Sequence, residues 1–221
     1  MSRFVSAKLG LNHSVLYLDE SGQCFRFSGG SWAWRTHNPG NLVPGSISKK
    51  HGAIGSTGKF AIFSDYDVGH LALIDLLQTI YWNLSINALV EKYAPPKEND
   101  VKKYKKFLRD KTGILDDRMI KAFTADEFKN LWIAIEQIEG YREGIITQID
   151  QVVQVRKKQG SIYAYCLQQK GWISKETCVQ LVQNGMVDLV LCLSRLGKQY
   201  LRSKPDDSAD DNLTHLVEGA H

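Results

Sequence analysis

Near residue 65 the hydrophobic period of this chain changes. Before it, apolar residues come in short runs broken by Gly, Asp and Ser. After it, Leu71, Leu73, Ile74, Leu77 and Ile80 recur at helical spacing, which predicts an amphipathic helix over 68–80. A chain that switches from period 2 to period 3.6 in this way segregates strands from helices, the pattern of an α+β fold. At 221 residues it is long enough to bury a substantial core. The composition, 43% hydrophobic and 24% charged, is that of an ordinary globular chain. A net charge of +4 is too small to imply a nucleic-acid partner.

In the first part, "SVLYLDESGQCFRFSGG" reads as a hairpin turning at Asp19-Glu20-Ser21-Gly22. The stretch "WAWRTHNPGNL", Trp32 to Leu42, follows as a loop, and "KFAIFSD" as a short strand. Beyond the period change the helix boundaries are well marked. Ser85 caps "INALVEKYA", which Pro95-Pro96 stops. Asp100 caps a helix that Gly113 closes. Thr124 and Glu127 form a capping box for a helix ending at Gly140. "IITQIDQVVQV", "KETCVQLVQNG" and "MVDLVLCLSRLGKQYL" are read as further helices, and the acidic tail from Ser203 as frayed. The expected fold is therefore mostly helical, with an N-terminal β-hairpin and loop region and a C-terminal helical extension. Its expected boundaries are 1–144, 145–204 and a flexible acidic tail over 205–221.

The chemistry is sought first at Glu139. It falls on the same helical face as Phe128, Leu131, Ile135 and Ile138, in the last turn. Burial and the negative helix end both favour a protonated carboxyl there, the form a general acid needs. Snorkelling, or pairing with Arg142, is the structural alternative. Glu98, just before the helix capped by Asp100, is a candidate charged partner or an ordinary helix-end acid. From Lys97 to Lys111 there are seven basic residues and three acidic ones, read as a solvated face, with an anion-binding face as the alternative. His37, His51 and His70 match no metal pattern, so no metal and no cofactor are expected. The four cysteines lack metal or CxxC spacing and read as buried thiols, three of them in helices. A Cys24–His37 pair is the alternative nucleophile.

Four stretches occur in a recognisable order: "WRTHNPGNL", "GAIGSTGKFAIFSDYDVGHLALIDLL", "KYAPPKENDVKKYKKFLRDKTG" and "LWIAIEQIEG". Together they resemble NPGN-type proteins of phages and of type VI secretion cargo, a group similar to peptidoglycan-degrading, lysozyme-like domains. The resemblance runs from Tyr17 to Tyr141. It departs at Thr36 and His37, where that group has asparagines, and at Val101, where it has Thr. It implies catalytic roles for Glu139 and Glu98. It further implies substrate contacts for Arg35, Asn38, Gly40, Asn41, Asn99 and Tyr104; Trp34 is added as a flat face for a sugar ring.

The expected function is cleavage of the peptidoglycan glycan strand, by a glycoside hydrolase or lytic transglycosylase resembling muramidases. The alternatives are a peptidoglycan amidase or peptidase, or a non-catalytic wall-binding or virion structural module. No basic-then-apolar leader opens the chain. Synthesis in the cytoplasm and export or injection into the periplasm of a target bacterium are therefore expected, as a secretion effector or phage component. An immunity protein or a secretion-machine carrier is an expected partner. Nucleic acid and a membrane span are not expected.

Overall fold

The computed structural model describes residues 3–94, 100–195, 197–203, 213 and 215–217. The chain divides into two compact units. The first comprises Met1–Val5, Leu9–Ser28 and Ile145–His221, and the second Ser6–Lys8 and Gly29–Gly144.

The first unit opens with strands β1 (Phe4–Leu9), whose central residues belong to the other unit, β2 (Val15–Asp19) and β3 (Cys24–Ser28). β2 and β3 are the expected hairpin, with Val15 opposite Phe27 and Leu18 opposite Cys24. The Asp19 carboxylate accepts from the N–H groups of Ser21 and Gln23, and Gly22 takes φ 82°, so the turn is satisfied by its own residues.

The second unit is helical around a short strand pair. Helix α1 (Trp32–Arg35) and helix α2 (Ser46–Lys50) precede β4 (Gly55–Ser56) and β5 (Ala61–Ile62), which pair antiparallel. β4 also runs parallel to Ala7 and Lys8 of β1. Then come α3 (Tyr66–Thr79), α4 (Ile86–Tyr93), α5 (Val101–Thr112) and α6 (Ala125–Glu139). Each of these four starts on a side-chain cap: Asp65, Ser85, Asp100 and Thr124 each accept from the N–H three residues on. Both halves of the Thr124–Glu127 box form, at 2.8 and 3.2 Å. Asp65 starts α3 two residues earlier than the apolar pattern suggests. Leu73 and Leu77 of α3 are buried, but Leu71 and Ile80 are 54% and 55% exposed, so the buried stripe is narrower than expected. The core gathers Phe63, Leu73, Leu77, Leu89, Leu108 and Leu131.

From Ile145 the chain returns to the first unit as strand. β6 (Ile145–Ile149) pairs with β3, Cys24 opposite Ile149. β7 (Val152–Lys158), β8 (Ser161–Leu167) and β9 (Gly171–Ser174) form a three-stranded antiparallel sheet. Helix α7 (Lys175–Gln183) follows, then the hairpin of β10 (Val190–Leu193) and β11 (Gln199–Arg202).

This corrects the expected fold class. The protein is α+β with 37% helix and 28% strand, and its strands pair in both parallel and antiparallel sense. It is not mostly helical, and the described residues of the C-terminal extension are mainly strands, with the one helix α7 among them. Of the three segments read there as helices, only the one around Cys178 is helical. In β7 the run Val152, Val153, Val155 is β-branched, which suits a pleated strand better than a helix. Apolar runs this short do not distinguish strand from buried helix by period alone. Cys166 and Cys192 accordingly lie in β8 and β10.

Candidate active site

The stretch from Trp32 to Leu42 is not an open loop. Ser31 caps α1 through its hydroxyl, which accepts from the Trp34 N–H at 3.2 Å. Trp34 is 6% exposed and Arg35 9%, with the Arg35 guanidinium 3.9 Å above the Trp32 ring. Asn38 is fully buried. Its amide donates to the carbonyls of Leu42 and Ala61 and its oxygen accepts from the Leu42 N–H, so it clasps the loop to β5. The Asn38 carbonyl then accepts from the Asn41 N–H, closing a turn over Pro39-Gly40.

Two glycines let this turn approach the helices. A Cβ on Gly69, inside α3, would lie 1.9 Å from the His37 carbonyl oxygen. A Cβ on Gly40 would meet the Tyr93 hydroxyl at 2.8 Å and Leu73 at 2.9 Å. The Tyr93 hydroxyl, on α4, donates to the Gly40 carbonyl. Asn41 is held at φ 49°, a left-handed conformation uncommon for a residue other than glycine.

Asn41 then reaches the end of α6. Its amide donates to one oxygen of Glu139 at 2.8 Å, and the Tyr104 hydroxyl, from α5, donates to the other at 2.8 Å. A half-buried carboxyl is thus fixed in orientation by a turn and a helix that lie 98 and 35 residues away in sequence. Glu139 also lines a cleft of about 610 Å³ whose wall includes Gly40, Asn41, Phe60, Tyr81 and Lys92. Burial and the nearby Glu139 push the phenols of Tyr93 and Tyr104 well above their ordinary value, so both are donors at neutral pH. A rigidly aimed carboxyl on the wall of a partly aromatic cleft can serve as a general acid, a general base or a stabiliser of positive charge.

Of the residues singled out from the sequence, Glu139, Asn41, Gly40 and Tyr104 come together. Tyr104 is 5% exposed and supports the carboxyl from behind. Trp34, Arg35 and Asn38 are placed as buried supports of the turn. Glu98 and Asn99, with Pro95 and Pro96, lie outside the described residues. Sequence reasoning passed over Tyr93 and Gly69, and also a cluster one turn before Glu139. There Glu136 accepts from the Tyr66 hydroxyl at 2.8 Å and bonds His70 Nδ1 at 2.7 Å. The i, i+4 spacing of Tyr66 and His70 on α3 was the available signal. Cys24 is 2% exposed in β3, out of reach of a polymeric substrate. Among the described residues no group of three or more His, Cys, Asp or Glu could hold a metal ion. Among them, too, no helix is long and apolar enough to cross a membrane.

Comparison with known families matches residues 151–217 to a family described as a protein of unknown function, DUF3892. No curated protein matches the chain. The resemblance to NPGN-type and lysozyme-like proteins is thereby corrected: the matched family is a different one, and its span begins beyond Tyr141. Packing accounts for marked residues of the first two of the four motifs that carried that resemblance. Asn38, Gly40 and Gly69 are what the turn over α3 requires.

Proposed function

We propose that the second unit cleaves glycosidic bonds in the glycan strand of bacterial peptidoglycan, with Glu139 protonating the departing oxygen. The observation that carries this reading is the Glu139 carboxyl on the wall of the cleft, its two oxygens held by Asn41 and Tyr104. Phe60 and Tyr81 supply aromatic lining for sugar rings, and Lys59 and Lys92 bring positive charge to a cleft whose substrate carries carboxylates. Glu98 is the proposed second carboxylate of a hydrolytic route. A transglycosylase route needs only the one acid, because a hydroxyl of the substrate attacks. Delivery by a secretion machine or a phage particle would bring the enzyme to the wall, and an immunity protein would protect the producing cell.

The test is release of soluble muropeptides from purified sacculi. Glu139→Gln keeps the shape and one accepted hydrogen bond, its amide nitrogen facing the other partner as a donor, and it cannot protonate the departing oxygen. It should lower the rate by about 100-fold or more while the melting temperature holds. Full activity in that variant would remove Glu139 from the mechanism. Sedimentation with sacculi without any soluble product would favour the non-catalytic wall-binding reading, and free stem peptides the amidase one.

A further inference from the structure

The cleft beside Glu139 carries an uneven charge. Among its described lining residues three are charged: Glu139, Lys59 and Lys92. The two lysines differ in what already engages them. Lys59 stands over the Phe60 ring, its ammonium 5.4 Å from the ring centroid. Lys92 is exposed, and among the described residues no carboxylate pairs with it. The neighbouring Glu91 is bonded instead to Lys105, at 2.6 Å. Much of the remaining wall is apolar, with Leu76 and Ile80 among it. Beside such a wall a charge is less screened than in open water.

The fold fixes where this ammonium stands. Lys92 precedes Tyr93 in the last turn of α4, and the Tyr93 hydroxyl donates to the Gly40 carbonyl. The next residue, Asn41, donates to Glu139. A short chain of bonds through Tyr93 and the turn thus ties Lys92 to the acid, and both ends of that chain line the same cleft. A lysine in the last turn of a helix has an ordinary use, since the carbonyl end of the helix favours a cation. That use would be served equally on the solvent side of α4. It does not call for a lysine on the cleft wall.

We propose that Lys92 selects glycan strands that bear carboxylates over neutral ones. The inference rests on the glycan-cleaving reading of this same cleft. With the scissile bond held at Glu139, a sugar beside it sets its substituent against Lys92. Two sources can supply the carboxylate. One is the lactyl group of a muramyl sugar, free where the stem peptide has been removed. The other is the stem peptide itself. A chitin strand shares the β-1,4-linked backbone and has neither. The contact with Lys92 is remote from the reacting bond and is made equally in the bound substrate and in the transition state. It therefore strengthens binding and leaves the chemical step unchanged.

The test is equilibrium binding to the full chain carrying Glu139→Gln, which separates recognition from turnover. The probes are chitohexaose, a peptide-free peptidoglycan hexasaccharide and the same strand with its stem peptides. At low salt a charged probe should bind about threefold tighter than chitohexaose, the scale of one partly exposed ion pair, and the margin should shrink as salt rises. Whichever charged probe shows the preference identifies the source of the carboxylate. Lys92→Gln in the same chain should bring that probe to the chitohexaose affinity, and Lys92→Arg should keep the preference. Equal affinities for all the probes overturn the proposal, as does a failure of every probe to bind or a preference that survives Lys92→Gln. Muropeptide release by the parent chain judges the glycan-cleaving reading separately. A parent that cuts sacculi but binds all probes alike loses only the selectivity. One that shows the Lys92-dependent preference and releases nothing loses only the catalysis.

Discussion

At the scale of single residues, the turn before Leu42 is a matter of fit. Gly69 sits in the interior of α3, where alanine is ordinarily the better residue by about 1 kcal/mol. The His37 carbonyl beside it reverses the sign. With only 1.9 Å available to a Cβ, Gly69→Ala must push the turn off the helix. The variant should lose about 2 kcal/mol or more of stability, read from urea midpoints, instead of gaining about 1. A stabilised Gly69→Ala would mean that the turn does not lie against α3. Asn38 works on the same scale from the other side. Its three bonds satisfy backbone groups of Leu42 and Ala61 that the turn would otherwise bury unpaired.

At the scale of elements, phenols tie the helices of the second unit together. Tyr93 of α4 holds the turn at Gly40, Tyr104 of α5 holds Glu139 at the end of α6, and Tyr66 of α3 holds Glu136 of α6. Burial, aided by the neighbouring carboxylates, raises all three phenols above their ordinary value. A group raised on folding contributes stability that is complete below its unfolded value, about 10 for tyrosine, and lost as pH rises toward the folded value. Stability should therefore hold to about pH 10 and then fall steeply. Absorbance at 295 nm should show these phenols ionising together with unfolding. Tyr104→Phe should shallow that alkaline loss, and an unchanged slope would count against its burial. The boundaries of α4, α5 and α6 were legible in the sequence because a cap and its N–H lie three residues apart. What the caps could not reveal is which helix meets which phenol.

At the scale of the whole molecule, the chain order is not the order of the parts. The first unit takes its hairpin from near the start of the chain and β6 through β11 from its last third. β6 supplies the partner for β3 along its whole length, from Cys24 opposite Ile149 to Ser28 opposite Ile145. A chain ended after Gly144 strips β6 from β3 and leaves that strand as an unpaired edge. It should aggregate or lose hydrogen-exchange protection along β3. The piece covering 29–144 should keep the helical core around Leu73, Leu108 and Leu131. Protection of residues 24–28 in the 1–144 chain equal to that in the full chain would contradict this account.

The amino-acid sequence by itself determined the local punctuation. The Asp19–Gly22 turn, the Thr124–Glu127 box and the glycine stops at 113 and 140 each depend on atoms within a few residues of one another. It also marked Glu139 as an acid on the core side of a helix end, from angular position alone. Only the tertiary structure decided that Asn41 and Tyr104 meet that acid, that Asn38 and Trp34 face inward, and that the runs around Val153 and Leu191 are strands. A hydrogen bond across 98 residues leaves no periodic trace. A short apolar run becomes a strand when a distant strand offers its open ladder of N–H and C=O groups.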